Sequence, residues 1–146
     1  MAAEDLFLDT SLVVAATVAA HPAHVTARQY LAEQQAKGAA FCISSQICRE
    51  FLVVLTRQPV SGRSFTVDEA IDALDQWRKA CTVLGENDLT LQRCVDLVSQ
   101  HDVHGKQVHD CNIVAVMLTH GVPRLATRNA PDFKRYAEIS VDAVTP

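Results

Sequence analysis

No stretch of this 146-residue chain approaches the ~20 consecutive apolar residues that cross a bilayer. The one run that could imitate a targeting segment, Leu12-Val13-Val14-Ala15-Ala16-Thr17-Val18-Ala19-Ala20, follows Glu4, Asp5 and Asp9 where a signal peptide carries positive charge. It reads as a buried helix of a soluble, cytoplasmic protein. Cysteine is sparse: the five thiols, Cys42, Cys48, Cys81, Cys94 and Cys111, are odd in number, form no CxxC pair and sit among apolar neighbours. That excludes a disulfide framework and leaves reduced core thiols. Positive charge is also short, with 13 Lys and Arg against 17 Asp and Glu and a net charge of -4. A protein that coats nucleic acid by bulk electrostatics is therefore excluded. A nuclease is not, because an acidic metal centre subtracts charge locally and its cations return it. Linkers and repeats are absent.

What remains is a chain that is 49% apolar and of a length that fits one domain with one core. Short apolar runs alternate with helical periodicity, the pattern of a parallel α/β sheet. Leu6 to Leu8 reads as a buried strand, with Thr10 and Ser11 as cap candidates for a helix reaching about Val18. His21-Pro22 opens a second helix, capped at its end by Gly38. Ala40 to Ile43 is the next strand, and Ser44 or Ser45 caps a helix with the stripe Ile47, Phe51, Val54, Leu55. Thr66 and Glu69 form a capping box behind Phe65, opening a helix that carries Ile71, Leu74 and Trp77 on one face. Thr82 to Leu84 is a strand; Asp88 caps a helix with the stripe Leu91, Cys94, Val95, Val98. A helix after Gly105 runs through Met117 to His120 and stops at Gly121, Val122 and Pro123. Arg124 to Thr127 and Ile139 to Val141 are the last two strand candidates.

This order sets four acids near one sheet edge. Asp9 ends the first strand, Glu50 lies on the helix after the second, Asp110 lies in the first turn of its helix, and Asp132 follows the Arg124–Thr127 strand together with Asn129. Each has a plain structural role available: helix-terminal carboxylates for Asp9 and Asp110, an exposed helix residue for Glu50, a turn former for Asp132. In open α/β sheets, however, ligands bind at the carboxyl edge. Two like charges about 4 Å apart repel by roughly 4 kcal/mol at an effective dielectric near 20, so several carboxylates aimed at one point need protons or a cation. Oxygen ligands favour Mg²⁺ or Mn²⁺. Arg124, Arg128, Lys134 and Arg135 crowd the same quarter of the chain, either as solvated surface or as a rim that contacts phosphate.

Four segments carry a family resemblance that spans nearly the whole chain: Phe7-Leu8-Asp9-Thr10-Ser11, Ser44-Ser45-Gln46-Ile47-Cys48-Arg49-Glu50-Phe51, Val108-His109-Asp110-Cys111-Asn112-Ile113-Val114-Ala115 and Leu125-Ala126-Thr127-Arg128-Asn129-Ala130-Pro131-Asp132-Phe133. In order and spacing they resemble the motifs of PIN-domain ribonucleases, in particular VapC-type toxins of bacterial toxin-antitoxin systems. The resemblance implies one three-layer α/β/α domain over residues 1–146, with a central, mostly parallel sheet of four or five strands. It implies that Asp9, Glu50 and Asp110 are the principal acids of a site holding Mg²⁺ or Mn²⁺. In the fourth motif Asn129 stands at the commonly acidic position, and Asp132 belongs to the Asp-Phe pair behind it, so either completes the site. Thr10 and Thr127 match hydroxyl residues that orient the carboxylates or a water. Further implications are hydrolysis of a structured RNA, inhibition by a cognate antitoxin protein, and a homodimer, for which the Ile71, Leu74, Trp77 face offers a surface.

Rival chemistries fit less well. His101, His104 and His109 bracket Gly105 without a cysteine at ligand spacing, so they read as loop and helix-end histidines rather than a zinc site. Cys48 and Cys111 sit in apolar helices, unlike reactive thiolates. Asp9-Thr10-Ser11 has Ser11 where an aspartyl phosphatase needs a second acid. A catalytically silent PIN module that binds RNA or a protein partner is the main alternative, and Asn129 is the departure that favours it.

Overall fold

The computed structural model describes residues 4–145, so the expected domain limits at residues 1 and 146 lie outside them. Five parallel strands form one sheet in the order β3-β2-β1-β4-β5: β1 (Leu6–Leu8), β2 (Phe41–Ser44), β3 (Thr82–Leu84), β4 (Arg124–Thr127) and β5 (Ser140–Ala143). Helices α1 (Thr10–Thr17), α2 (His24–Ala36), α3 (Ser45–Arg57), α4 (Val67–Ala80), α5 (Asp88–His101) and α6 (Gln107–His120) complete a three-layer α/β/α architecture. The first four helices pack as α1 on α2 and α3, and α3 on α4; α5 and α6 pair with each other.

The central strand shows why its sequence is uniformly apolar. Leu6, Phe7 and Leu8 have no exposed surface, as expected for a parallel strand covered on both faces. Helix α6 is apolar nearly all round, and Cys111, Ile113, Val114, Ala115, Val116 and Met117 are all buried. It ends at Gly121, whose φ of 70° is the left-handed conformation that glycine adopts without strain. Val122 then donates its N–H back to the Met117 carbonyl at 2.9 Å and is buried. The Thr66–Glu69 capping box of α4 is present in both directions. No helix among the described residues is long and apolar enough to cross a membrane.

Five local expectations need correction. Asp9, not Thr10 or Ser11, caps α1, because its carboxylate accepts the Thr10 N–H and Thr10 is already the first residue of the helix. Helix α2 begins at His24, not at His21-Pro22: the His21 ring accepts from the Ala23 N–H at 3.0 Å and its carbonyl from His24 at 2.9 Å, so a turn precedes the helix. Asn87, not Asp88, caps α5, because its Oδ1 reaches the N–H groups of Leu89 and Thr90; Asp88 is left to favour the positive helix end. The buried face of α5 is Thr90, Cys94 and Leu97, whereas Leu91 and Val95 are exposed. Packing against α6 rotates the helix away from its most apolar stripe. The last strand runs Ser140–Ala143 rather than Ile139 to Val141, paired with β4 residue by residue.

The strand order matters for function. From β1 the sheet grows to β2 on one side and to β4 on the other, so the carboxyl ends of β1 and β4 flank a topological switch point, where an open α/β sheet leaves a crevice. Asp9 and Thr127 stand at those two ends.

Candidate functional site

Asp9 leaves β1 as the N-cap of α1. Its Oδ1 accepts the Thr10 N–H at 2.8 Å, and its Oδ2 accepts Thr127 Oγ1 at 2.6 Å and Ser11 Oγ at 3.2 Å. Burial pushes its carboxyl above the usual range; these donors oppose the shift and the charge of Glu50 adds to it. Ser11 also accepts the Arg128 N–H at 3.1 Å, and Thr127 Oγ1 accepts the Asn129 N–H at 2.9 Å. The two hydroxyls thus tie the turn after β4 to the turn after β1.

Glu50 is held from both sides, with Thr10 Oγ1 donating to Oε1 at 2.9 Å and Gln46 Nε2 donating to Oε2 at 3.2 Å. Gln46 is buried and also donates to the His109 carbonyl at 2.9 Å, while Asn112 donates to its Oε1 at 2.8 Å. The amide therefore joins α3 to the start of α6. Neither Ser11 nor Gln46 stood out as a site residue in the sequence. The signal for Gln46 was present in its spacing, one helical turn before Glu50.

Asp110 lies in the first turn of α6, whose N-cap, Lys106, supplies no side-chain hydrogen bond. Its carboxyl is pushed up to about 7, first by burial and then by the charges of Asp9, Asp132 and Glu50. The four acids therefore share one field. They are not equally placed: Asp9, Glu50, Asp110 and Asn129 line one open cleft of about 710 Å³, together with Thr10 and Ser11, whereas Asp132 sits exposed in a 3-10 turn (Ala130–Phe133) outside that lining. Thr127 is fully buried beneath it. The three histidines are dispersed. His101 meets Glu138, His104 meets Asp102, and His109 alone reaches the cleft.

Among the described residues no three His, Cys, Asp or Glu side chains gather tightly enough to enclose an ion by themselves. The donor set still fits a hard divalent cation. Carboxylate and hydroxyl oxygens line the cleft, and Asp110, pushed up to about 7 by burial and then by the charges of Asp9, Asp132 and Glu50, sits where a cation would offset both effects. Mg²⁺ usually keeps several waters and takes only one or two carboxylates, so a tight protein cage is not required.

The PIN domain family model matches residues 6–139, and the chain belongs to that family. Solved structures share the fold at low identity. VapBC2 from Rickettsia felis, bound to a DNA fragment from the VapBC2 promoter, is 18% identical with a TM-score of 0.73, covering 96% of this chain and 98% of that one. VapC20 from Mycobacterium tuberculosis, described as a sarcin-ricin loop cleaving toxin, is 18% identical with a TM-score of 0.69, covering 92% and 98%. VapBC-1 from nontypeable Haemophilus influenzae is 16% identical with a TM-score of 0.70, covering 97% and 98%. No curated protein matches the chain by sequence.

Proposed function

We propose that this PIN domain is a cytoplasmic, metal-dependent ribonuclease, the toxin of a bacterial toxin-antitoxin pair, with Asp9, Glu50 and Asp110 holding Mg²⁺ or Mn²⁺. The observation that carries the reading is the shared field of these acids in one cleft at the sheet's switch point. The structural neighbours named as VapBC assemblies support the partner class, an antitoxin protein.

In this reading Asp9 is the fixed ligand, its orientation set by Thr10, Ser11 and Thr127. Glu50 is aimed by Thr10 and Gln46. Asp110, whose charge burial and the neighbouring acids disfavour, would complete the ligand set. The cation, when bound, supplies Lewis acidity toward the scissile phosphate and a water of lowered pKa. Asn129 and Thr127 support the ligands rather than bind the ion, and Asp132 contributes charge from outside the cleft. A homodimer is part of the proposal, though Trp77 is already engaged, its indole donating to Thr17 Oγ1 at 2.8 Å; on that helix the exposed large apolar side chains are Val67 and Ile71.

The looseness of the acid cluster favours one second reading, a silent PIN module that binds RNA or a partner without cutting. Incubating purified protein with total bacterial RNA in Mg²⁺, in Mn²⁺ and in EDTA separates the two. Discrete metal-dependent cleavage products are expected; RNA bound but intact in all three conditions would establish the silent module.

A further inference from the structure

Behind the cleft, two side-chain amides run in series. Asn112 Nδ2 donates to Gln46 Oε1 and to Glu86 Oε1, each at 2.8 Å, and Gln46 Nε2 donates to Glu50 Oε2 at 3.2 Å and to the His109 carbonyl at 2.9 Å. The order fixes both amides. An amide nitrogen carries two N–H donors and its oxygen only accepts, as a carbonyl and an ionised carboxylate do. Glu50 and His109 therefore demand the nitrogen of Gln46, which leaves its oxygen for the nitrogen of Asn112. Glu86 takes the second Asn112 N–H. Turning either amide over sets oxygen against oxygen.

The series runs from the surface inward. Glu86 is exposed, Asn112 half-buried and Gln46 buried. Neither Glu86 nor Asn112 lines the cleft, yet the last bond of the series falls on a carboxylate that does. Glu86 stands between β3 and α5 in a segment held on both sides: the Gly85 carbonyl accepts from His120 Nε2 at 2.7 Å, and Asn87 caps α5. Among the described residues Glu86 enters no ion pair, so its charge is not engaged elsewhere. An amide free to turn would offer Glu50 either a donor or an acceptor. One locked with its donors forward holds the carboxylate in a single orientation, and here the lock on Gln46 is Asn112 and the lock on Asn112 is Glu86.

We propose that Asn112 and Glu86 are positioning residues of the acidic centre: Glu86 fixes the Asn112 amide, Asn112 fixes Gln46, and Gln46 aims Glu50 at the oxygen that Thr10 leaves free. The loop after β3 thereby takes part in a site whose other members come from β1, α3, α6 and β4. For its effect on a cation this rests on the metal-centre reading; for its effect on Gln46 it rests on the hydrogen bonds alone.

The test pairs Mn²⁺ calorimetry with side-chain amide hydrogen exchange, followed by NMR in EDTA, on the full chain. Asn112→Leu, which leaves Gln46 Oε1 without its donor, should weaken Mn²⁺ binding about 10-fold, the low end for an outer group that orients a ligand. Glu86→Ala should weaken it about threefold, whereas Glu86→Gln, whose amide oxygen still accepts from Asn112, should match the parent. In EDTA the Gln46 side-chain protons should exchange about three- to fivefold faster in Asn112→Leu and Glu86→Ala, and at the parent rate in Glu86→Gln. A loss in Glu86→Gln equal to that in Glu86→Ala would assign the effect to charge and overturn the proposal. So would unchanged Mn²⁺ affinity and exchange in variants that are less stable in urea, the mark of a purely structural tie between α6 and the loop. Should Asn112→Leu fail to fold, the two Glu86 variants, changed at an exposed side chain, decide the question. A parent that binds no Mn²⁺ while Gln46 exchange follows the expected order overturns the metal-centre reading and leaves the amide lock standing.

Discussion

Thr127, at the end of β4, donates a 2.6 Å hydrogen bond from Oγ1 to Asp9 Oδ2, at the end of β1, across 118 residues of sequence. Both groups are buried. Thr127→Val removes this donor and the acceptor used by the Asn129 N–H. Metal-free stability in urea should fall by about 1–3 kcal/mol, the range for a buried partner left unsatisfied, and Thr127→Ser should restore most of it. Equal stability of the valine variant would show that the bond carries no weight.

Asp110 predicts an inverted pH dependence. Its folded pKa of about 7 lies above the reference of 3.8, so between about pH 4 and 7 the folded chain keeps a proton that the unfolded chain has released. Stability of the metal-free protein attributable to this group is therefore highest at the acid end of that window and is lost as pH rises through 7. Asp9, also raised, acts in the same sense. Mn²⁺ binding should strengthen over the same window, because the cation displaces the proton. Melting temperatures at pH 5, 6, 7 and 8, with and without EDTA, check both slopes; Asp110→Asn should flatten them.

Much of this arrangement was legible in the sequence, for identifiable reasons. Leu6–Leu8 and Arg124–Thr127 read as strands because parallel strands are buried on both faces, and Gly121 marked a helix end because few other residues take positive φ. Asp9, Glu50 and Asp110 could be assigned to one edge from element order alone. Side-chain hydrogen bonding was not legible: Gln46 and Ser11 act through partners 63 and 117 residues away. Nor was the rotation of α5, since Leu91 and Val95 make the more apolar stripe and only contact with α6 selects Thr90, Cys94 and Leu97. The fourth motif stayed ambiguous because Asn129, just before the 3-10 turn, and Asp132, within it, lie three residues apart, where a small change of path decides which faces the cleft.

That ambiguity yields a charge test. Asp132→Asn should lower the Asp110 titration midpoint, since one of the three acids that raise it is gone, while changing Mn²⁺ affinity less than Asp9→Asn does. Asn129→Asp puts a carboxylate into the cleft lining and should tighten Mn²⁺ binding. Carboxyl NMR titration and calorimetry read the two effects. A loss of Mn²⁺ affinity in Asp132→Asn as large as in Asp9→Asn would make Asp132 a ligand.

Gln46→Leu should leave the Glu50 Oε2 and the His109 carbonyl without their shared donor. Metal affinity should drop by about 10- to 100-fold, the usual effect of losing a group that orients a ligand. Affinity equal to the parent's would mean that Thr10 alone suffices to aim Glu50.

The central claim is that Asp9, Glu50 and Asp110 form one metal-dependent centre that cuts RNA. Single-turnover cleavage of an unpaired RNA in Mg²⁺, measured for the parent and for Asp9→Asn, Glu50→Gln and Asp110→Asn, tests it most directly. Each variant should fold, since Asn at position 9 can donate to the rotatable hydroxyls of Ser11 and Thr127 and the other two changes relieve repulsion. Each should lose more than about 100-fold in rate, beyond the effect of a merely supporting contact. Parent-like rates in all three folded variants, or parent cleavage that persists in EDTA, would contradict the account.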